Sequence, residues 1–260
     1  MSSSTQYHDN FFDRLFIALF SYKMSNALGQ RSSLKGYEGF VDLSQKIMRG
    51  RNAQEQQAIV SVVLKSLVPS PILTIVRTWF SPTPLVCELN AWFATVLFEW
   101  LVGPCEVRSV EIPVEIKPET IPEKNTSPPS KIQSPTQPQS HSKIQSKSQL
   151  KSDRFSSKSP RLQKSGVHIQ KCRYLEQSRC VGMCINMCKL PTQEFFTKEF
   201  GIPLTMTPNF EDFSCEMVFG QIPPRLEEEE AYQQPCLKEH CPTASGFQEP
   251  CPKVRSNQHS

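Results

Sequence analysis

Residues 113–166 do not have the composition of a folded segment, and they divide the chain. They hold eight Pro, twelve Ser and one aromatic, Phe155. So few apolar groups bury too little surface to offset the entropy lost on ordering, and the stretch reads as a disordered linker. Any folded body must be assembled from 11–112 and 167–235, with a disordered N-terminus at 1–10 and a tail at 236–260. The linker also carries the positive charge. Its eight Lys and two Arg against four acidic residues give +6, while the whole 260-residue chain stands at +4. The remainder is left at −2. A folded part without a basic surplus is not expected to bind nucleic acid.

The N-terminal side reads helical. From Asn10 to Leu28, Phe11, Phe12, Leu15, Phe16, Leu19 and Phe20 recur at helical spacing, with Asn10 as N-cap and Gly29 as stop. Gly39–Met48, Ala53–Leu67, Pro71–Phe80 and Pro84–Val102 are expected as further helices, and Arg108–Pro113 as a weak strand. Beyond the linker, Val167–Tyr174, Leu204–Thr207 and Cys215–Phe219 read as strands. Pro191–Phe200 reads as a helix with Thr192 as its cap. Arg225–Tyr232 reads as helical, with Glu227–Glu230 a solvated face. The fold class is mainly α with a small antiparallel β element (α+β): a helical N-terminal half and a Cys-rich C-terminal half. The most apolar run, Pro71–Leu101, is cut by Arg77, Glu88 and Glu99 into pieces of about ten residues, half of what a membrane span needs. The opening MSSSTQYHDN is polar and reads as neither a secretory signal nor a convincing transit peptide. Without a secretory signal, the cysteines are expected as metal or redox ligands rather than a disulfide framework.

Eight of the ten cysteines lie after residue 166. The run CRYLEQSRCVGMCINMCK sets Cys180, Cys184 and Cys188 four apart, a spacing that shares a helix face. On one straight helix Cys180 and Cys188 would stand about 12 Å apart. That is too far for one ion with metal–sulfur bonds near ~2.3 Å. Either Cys180 sits in a loop before a helix that starts near Gly182 and presents Cys184 and Cys188, or the stretch is irregular and wraps a cluster. In both cases a fourth ligand comes from elsewhere, and Cys172 and Cys215 are the candidates. All-thiolate sets select zinc, copper(I) or iron–sulfur clusters. Cys236, His240 and Cys241 form a second ligand group. Cys87 and Cys105 read as small buried apolar residues, and Cys251 as incidental. No P-loop, GxGxxG or nucleophile-elbow Ser is present. Glu88, Asn90 and Glu99, set among apolar residues with Trp92 and Trp100, would line an apolar substrate pocket.

Five segments carry a resemblance to a known family: DRLFIALFSYKMSNALG (13–29), GYEGFVDLSQKIMRGR (36–51), ELNAWFATVLFEWLVGPCEV (88–107), CRYLEQSRCVGMCINMCKLPTQEFF (172–196) and NFEDFSCEMVFGQIPP (209–224). The chain resembles the plant plastid β-carotene isomerases of strigolactone biosynthesis, an iron-containing family. The resemblance implies reversible isomerisation of all-trans-β-carotene to its 9-cis form. It also implies a required iron, as a single ion or an iron–sulfur centre, a plastid location, and downstream carotenoid cleavage enzymes as partners. A carotene has no polar atom, so the apolar helices 11–28 and 71–101 would hold it, and their faces would contact a membrane to extract it. Iron held by Cys180, Cys184 and Cys188 would lower the bond order through a transient polyene radical. The rival reading is a non-catalytic carotenoid- or partner-binding module with a structural zinc.

Overall fold

The computed structural model describes residues 5–79, 82–112, 161–225, 228–237 and 254. The expected disordered linker lies outside the described residues up to residue 160. Six helices come first: α1 (Phe11–Leu28), α2 (Gly36–Met48), α3 (Ala53–Leu67), α4 (Ser70–Trp79), α5 (Pro84–Leu97) and the single turn α6 (Glu99–Val102). Their starts follow from local chemistry. Asn10 accepts the Asp13 N–H while Asp13 accepts the Asn10 N–H, and Asn52 and Glu55 form the same reciprocal pair at α3. Thr83 caps α5, with Pro84 in the first turn where its missing N–H costs nothing. The expected helix Pro84–Val102 is two, because Phe98 leaves helical geometry at φ −111° and ψ 2°.

A sheet follows: β1 (Cys105–Ile112), β2 (Arg161–Ile169), β3 (Leu204–Pro208) and β4 (Cys215–Phe219). Its order is β1-β2-β4-β3 and every pairing is antiparallel. Strand β2 starts at Arg161, not Val167, and ends before Tyr174. The residues 161–166 have poor strand propensity, but pairing with β1 supplies what propensity does not. Gly166 has to be glycine: a Cβ there would lie 2.5 Å from Val110 Cγ1 and 3.1 Å from the Arg108 carbonyl.

Between β2 and β3 lie α7 (Arg173–Ser178) and a longer helix, α8, over 181–200. Helix α8 alternates in pitch: α-helical at Val181–Met183, π-helical at Cys184–Lys189, α-helical at Leu190–Phe195 and π-helical at Phe196–Phe200. Pro191 gives a reason for the first widening. It has no N–H, and its ring would crowd the carbonyl four residues back in a regular α-helix. Thr192 is inside this helix and caps nothing.

One core joins both halves, uniting Leu43, Ile47 and Met48 of α2 with Ile169, Leu204 and Phe219 of the sheet. A second cluster, Val181, Ile185, Leu190, Ala231, Cys236 and Val254, covers the other side of α8. The acidic run is only in part a solvated face: Glu228 and Glu230 are exposed. Among its described residues Glu229 is buried, and the helical piece is a 3-10 turn, Glu230–Gln233. No helix among the described residues is long and apolar enough to cross a membrane.

Candidate functional site

Four cysteines from three elements face one small cavity. Cys184 and Cys188 come from the first π-helical stretch of α8, where i→i+5 bonding keeps residues four apart on one side. Cys172 is the N-cap of α7, and its N–H donates to the Phe213 carbonyl at 2.7 Å. Cys215 opens β4, between Ile169 of β2 and Pro208 of β3. The cavity measures about 20 Å³, and Val102, Ile169, Tyr174, Leu175, Lys189 and Met206 complete its wall. That is room for about one water molecule. Cys180 is fully buried at the N-cap of α8, extended at φ −135°, and is not part of the wall.

Burial dominates the chemistry of these thiols. It pushes Cys172 up to about 11, and each thiol adds a potential negative charge that its neighbours resist. Cys188 keeps some surface as a residue, but its thiol faces the cavity and is pushed up to about 12. Cys184 and Cys215 rise well above the ordinary thiol range, with Lys189 pulling both back. The Lys189 ammonium bonds Glu229 Oε1 at 2.6 Å, and both side chains are only 5% exposed. Glu229 Oε2 is buried without a hydrogen-bond partner. As neutral thiols, the four are arrayed around the cavity rather than converged on one point. Among the described residues no three His, Cys, Asp or Glu groups stand ready-made to hold an ion.

Amide pairs fix α8 against its neighbours. Asn186 Nδ2 donates to Gln56 Oε1 at 2.8 Å, and Gln57 Nε2 donates to Asn186 Oδ1 at 3.3 Å, both on α3. Gln193 Oε1 accepts the Met206 N–H of β3 at 2.7 Å. The π stretch is thereby held in register with both the helical and the sheet walls of the cavity.

The other sequence candidates fall elsewhere. Cys236 is buried in the second cluster, across α8 from the thiol cavity, and His240 and Cys241 lie outside the described residues. None of the proposed pocket residues lines the thiol cavity. Glu88 accepts the Lys164 N–H at 3.1 Å, and Asn90 donates to the Val86 carbonyl at 2.8 Å. Trp92 and Glu99 face solvent. Trp100, 2% exposed, sits among Phe16, Phe20 and Phe40 with ring centroids 4.8 to 6.4 Å away. The reason is that α5 turns its small residues Cys87, Ala91 and Ala94 inward. A groove of about 480 Å³ runs between α1 and α2, with Ile17, Ala18 and Leu43 along it and Arg14 and Arg31 beside them. Lys189 was missed as a cavity residue. Its place directly after Cys188 in CKLPT was the available signal.

Fold and cavity together define a small α+β protein built around a buried cluster of thiols. Residues 141–228, which include all four, match the family model described as Beta-carotene isomerase D27-like, C-terminal. A Medicago truncatula protein named Beta-carotene isomerase D27, chloroplastic, is 35% identical over 232 residues, 89% of this chain and 74% of the relative. The Arabidopsis thaliana protein of the same name is 32% identical over 232 residues, 88% of this chain and 70% of the relative. No solved structure matches the chain. The chain belongs to the beta-carotene isomerase D27 family.

Proposed function

We propose that this chain is a plastid carotenoid isomerase. It converts all-trans-β-carotene to the 9-cis form, the first step towards strigolactones, with iron as cofactor. The observation that carries the reading is the meeting of Cys172, Cys184, Cys188 and Cys215 at one cavity inside the family-matched segment.

By donor type the residues fit such a cofactor, and the four thiols would draw together around it. The donors are all sulfur, a soft set suited to iron or to an iron–sulfur centre. The charged group beside them, Lys189, is already paired with Glu229 and is cationic, so it does not compete as a ligand. Iron held by these thiols would supply the one-electron chemistry that lowers the bond order of a polyene. The chain's own residues do the rest. The four thiols would hold it by giving up their protons, which burial opposes and, at Cys184 and Cys215, the Lys189 ammonium favours. Val102, Ile169, Leu175 and Met206 keep water from the sulfurs. Asn186 and Gln193 hold α8 so that Cys184 and Cys188 stay on the cavity side.

The test is carotene isomer composition in a bacterial strain that accumulates all-trans-β-carotene and expresses the full chain. The expected result is a rise in 9-cis-β-carotene over an empty-vector control. The variant Cys184→Ser/Cys188→Ser, at matched soluble level, should fall to the control. No rise from soluble, iron-loaded protein contradicts the reading. Stoichiometric zinc with no iron, and carotene bound but unchanged, would assign the chain to a binding module instead.

A further inference from the structure

The π-helical stretch Cys184–Lys189 aims more than two thiols. On a regular α-helix, residues five apart fall on different sides, whereas the wider π turn, with i→i+5 bonding, brings the fifth residue back. Lys189 therefore reaches the cavity together with Cys184 and Cys188. Among the described residues it is the one cation on the wall. The other charges close to the thiols are engaged elsewhere. Arg173 pairs with Asp9 and lies over the Tyr37 ring at 3.7 Å, Glu176 takes Lys171 at 2.6 Å, and Glu216 pairs with His168 and Arg108. Glu229 grips the Lys189 ammonium from outside the wall, and both side chains are buried, so the cation is fixed where it stands.

We infer that Lys189 is a positioning residue for the thiol-bound iron: its ammonium, held by Glu229, offsets the negative charge of the centre and so sets how tightly the metal is bound and how readily it is reduced. The inference rests on the proposed function for the metal itself. Four thiolates carry more negative charge than an iron ion neutralises, and a buried excess of charge is costly unless a counter-charge lies close. In a dry interior such a counter-charge acts strongly. Net charge and surroundings set the potential of sulfur-held iron, and groups just behind the ligands tune how firmly it is held. Glu229 is not part of the wall, so it tempers the cation without cancelling it at the sulfurs.

The experiment titrates the metal-free full chain with cobalt(II) in the absence of oxygen, read by thiolate-to-cobalt absorption. The potential of the iron-loaded chain is then measured by reductive titration with dithionite. Lys189→Met/Glu229→Leu exchanges the pair for apolar side chains that the interior accepts, with folding checked by circular dichroism. It should bind cobalt(II) at least about tenfold more weakly and shift the potential negative. Lys189→Arg keeps the charge and should keep both values. Glu229→Gln still accepts from the ammonium but lacks the negative charge, so it should shift the potential in the opposite, positive direction; it decides the matter should the double variant fail to fold. A role in folding alone would leave cobalt affinity and potential at the parental values in every folded variant, and that result overturns the inference. So does a parent chain that takes up neither cobalt(II) nor iron. If the variants shift as expected but no form raises 9-cis-β-carotene in the bacterial strain, the role of Lys189 stands and the proposed function falls. If the parent isomerises carotene and the variants do not shift, the inference alone falls.

Discussion

Helix α8 buries polar side chains, whereas α5 exposes apolar ones. On α8, Asn186, Lys189 and Gln193 are buried, and each has a partner on another part of the chain: Gln56, Glu229 and the Met206 backbone. Burial of such groups is tolerated only because each is satisfied. On α5, the large side chains sit outside and alanines pack against the sheet. Folding alone explains α8: each polar group is held, and the thiols between them gain a fixed, dry setting. Folding alone does not explain α5, because exchanging its inner and outer residues would bury more apolar area. The first helix is shaped by the interior it must build, the second by something outside the described body.

Four measurements would break or sharpen that contrast. The largest effect belongs to the buried ion pair. Lys189→Met leaves Glu229 buried and unpaired, and should destabilise by about 3–5 kcal/mol in chemical unfolding. Adding Glu229→Leu should recover most of it, and a loss that the second change does not repair would mean that Lys189 acts by packing. The thiols come next. Their folded-state values lie above the ordinary one of 9.0, so the folded chain favours the protonated form. This contribution is complete below about pH 9 and is lost as pH rises towards about 12. Cys172 alone, at about 11, accounts for about 2 kcal/mol by pH 11. The urea midpoint of metal-free protein should fall over that window. A smaller loss, about 1–3 kcal/mol, should follow Asn186→Leu, which leaves the Gln56 carbonyl oxygen buried without its donor. The smallest effect lies on α5. Leu89→Ser should change stability by about 0.5 kcal/mol or less. A large loss there would mean that the outer stripe is covered within the molecule.

Capping chemistry made the helical half legible. Asn10 with Gly29 is a local signal, and the helix it bounds starts and stops accordingly. Cys215–Phe219 was also legible, since alternation is a property of the segment itself. What failed depended on distant partners. Arg161–Gly166 looks like linker by composition and becomes strand only because β1 lies beside it. Glu229 looks like one of four solvated acids until Lys189 meets it from forty residues away. In the thiol cluster, the spacing from Cys184 to Cys180 equals that to Cys188, so sequence alone does not rank them. The start of α8 at Val181 leaves Cys180 outside the cavity wall, while chain reversal through the sheet brings in Cys215.

The measurement closest to the central claim is the iron content of the full chain purified without oxygen, set beside single Ser variants of five cysteines. The account predicts iron in the parent and in Cys180→Ser, and loss of most of it in Cys172→Ser, Cys184→Ser, Cys188→Ser and Cys215→Ser, with folding checked by circular dichroism. A parent without iron would contradict it, as would a folded Cys180→Ser that loses iron while Cys172→Ser and Cys215→Ser retain it.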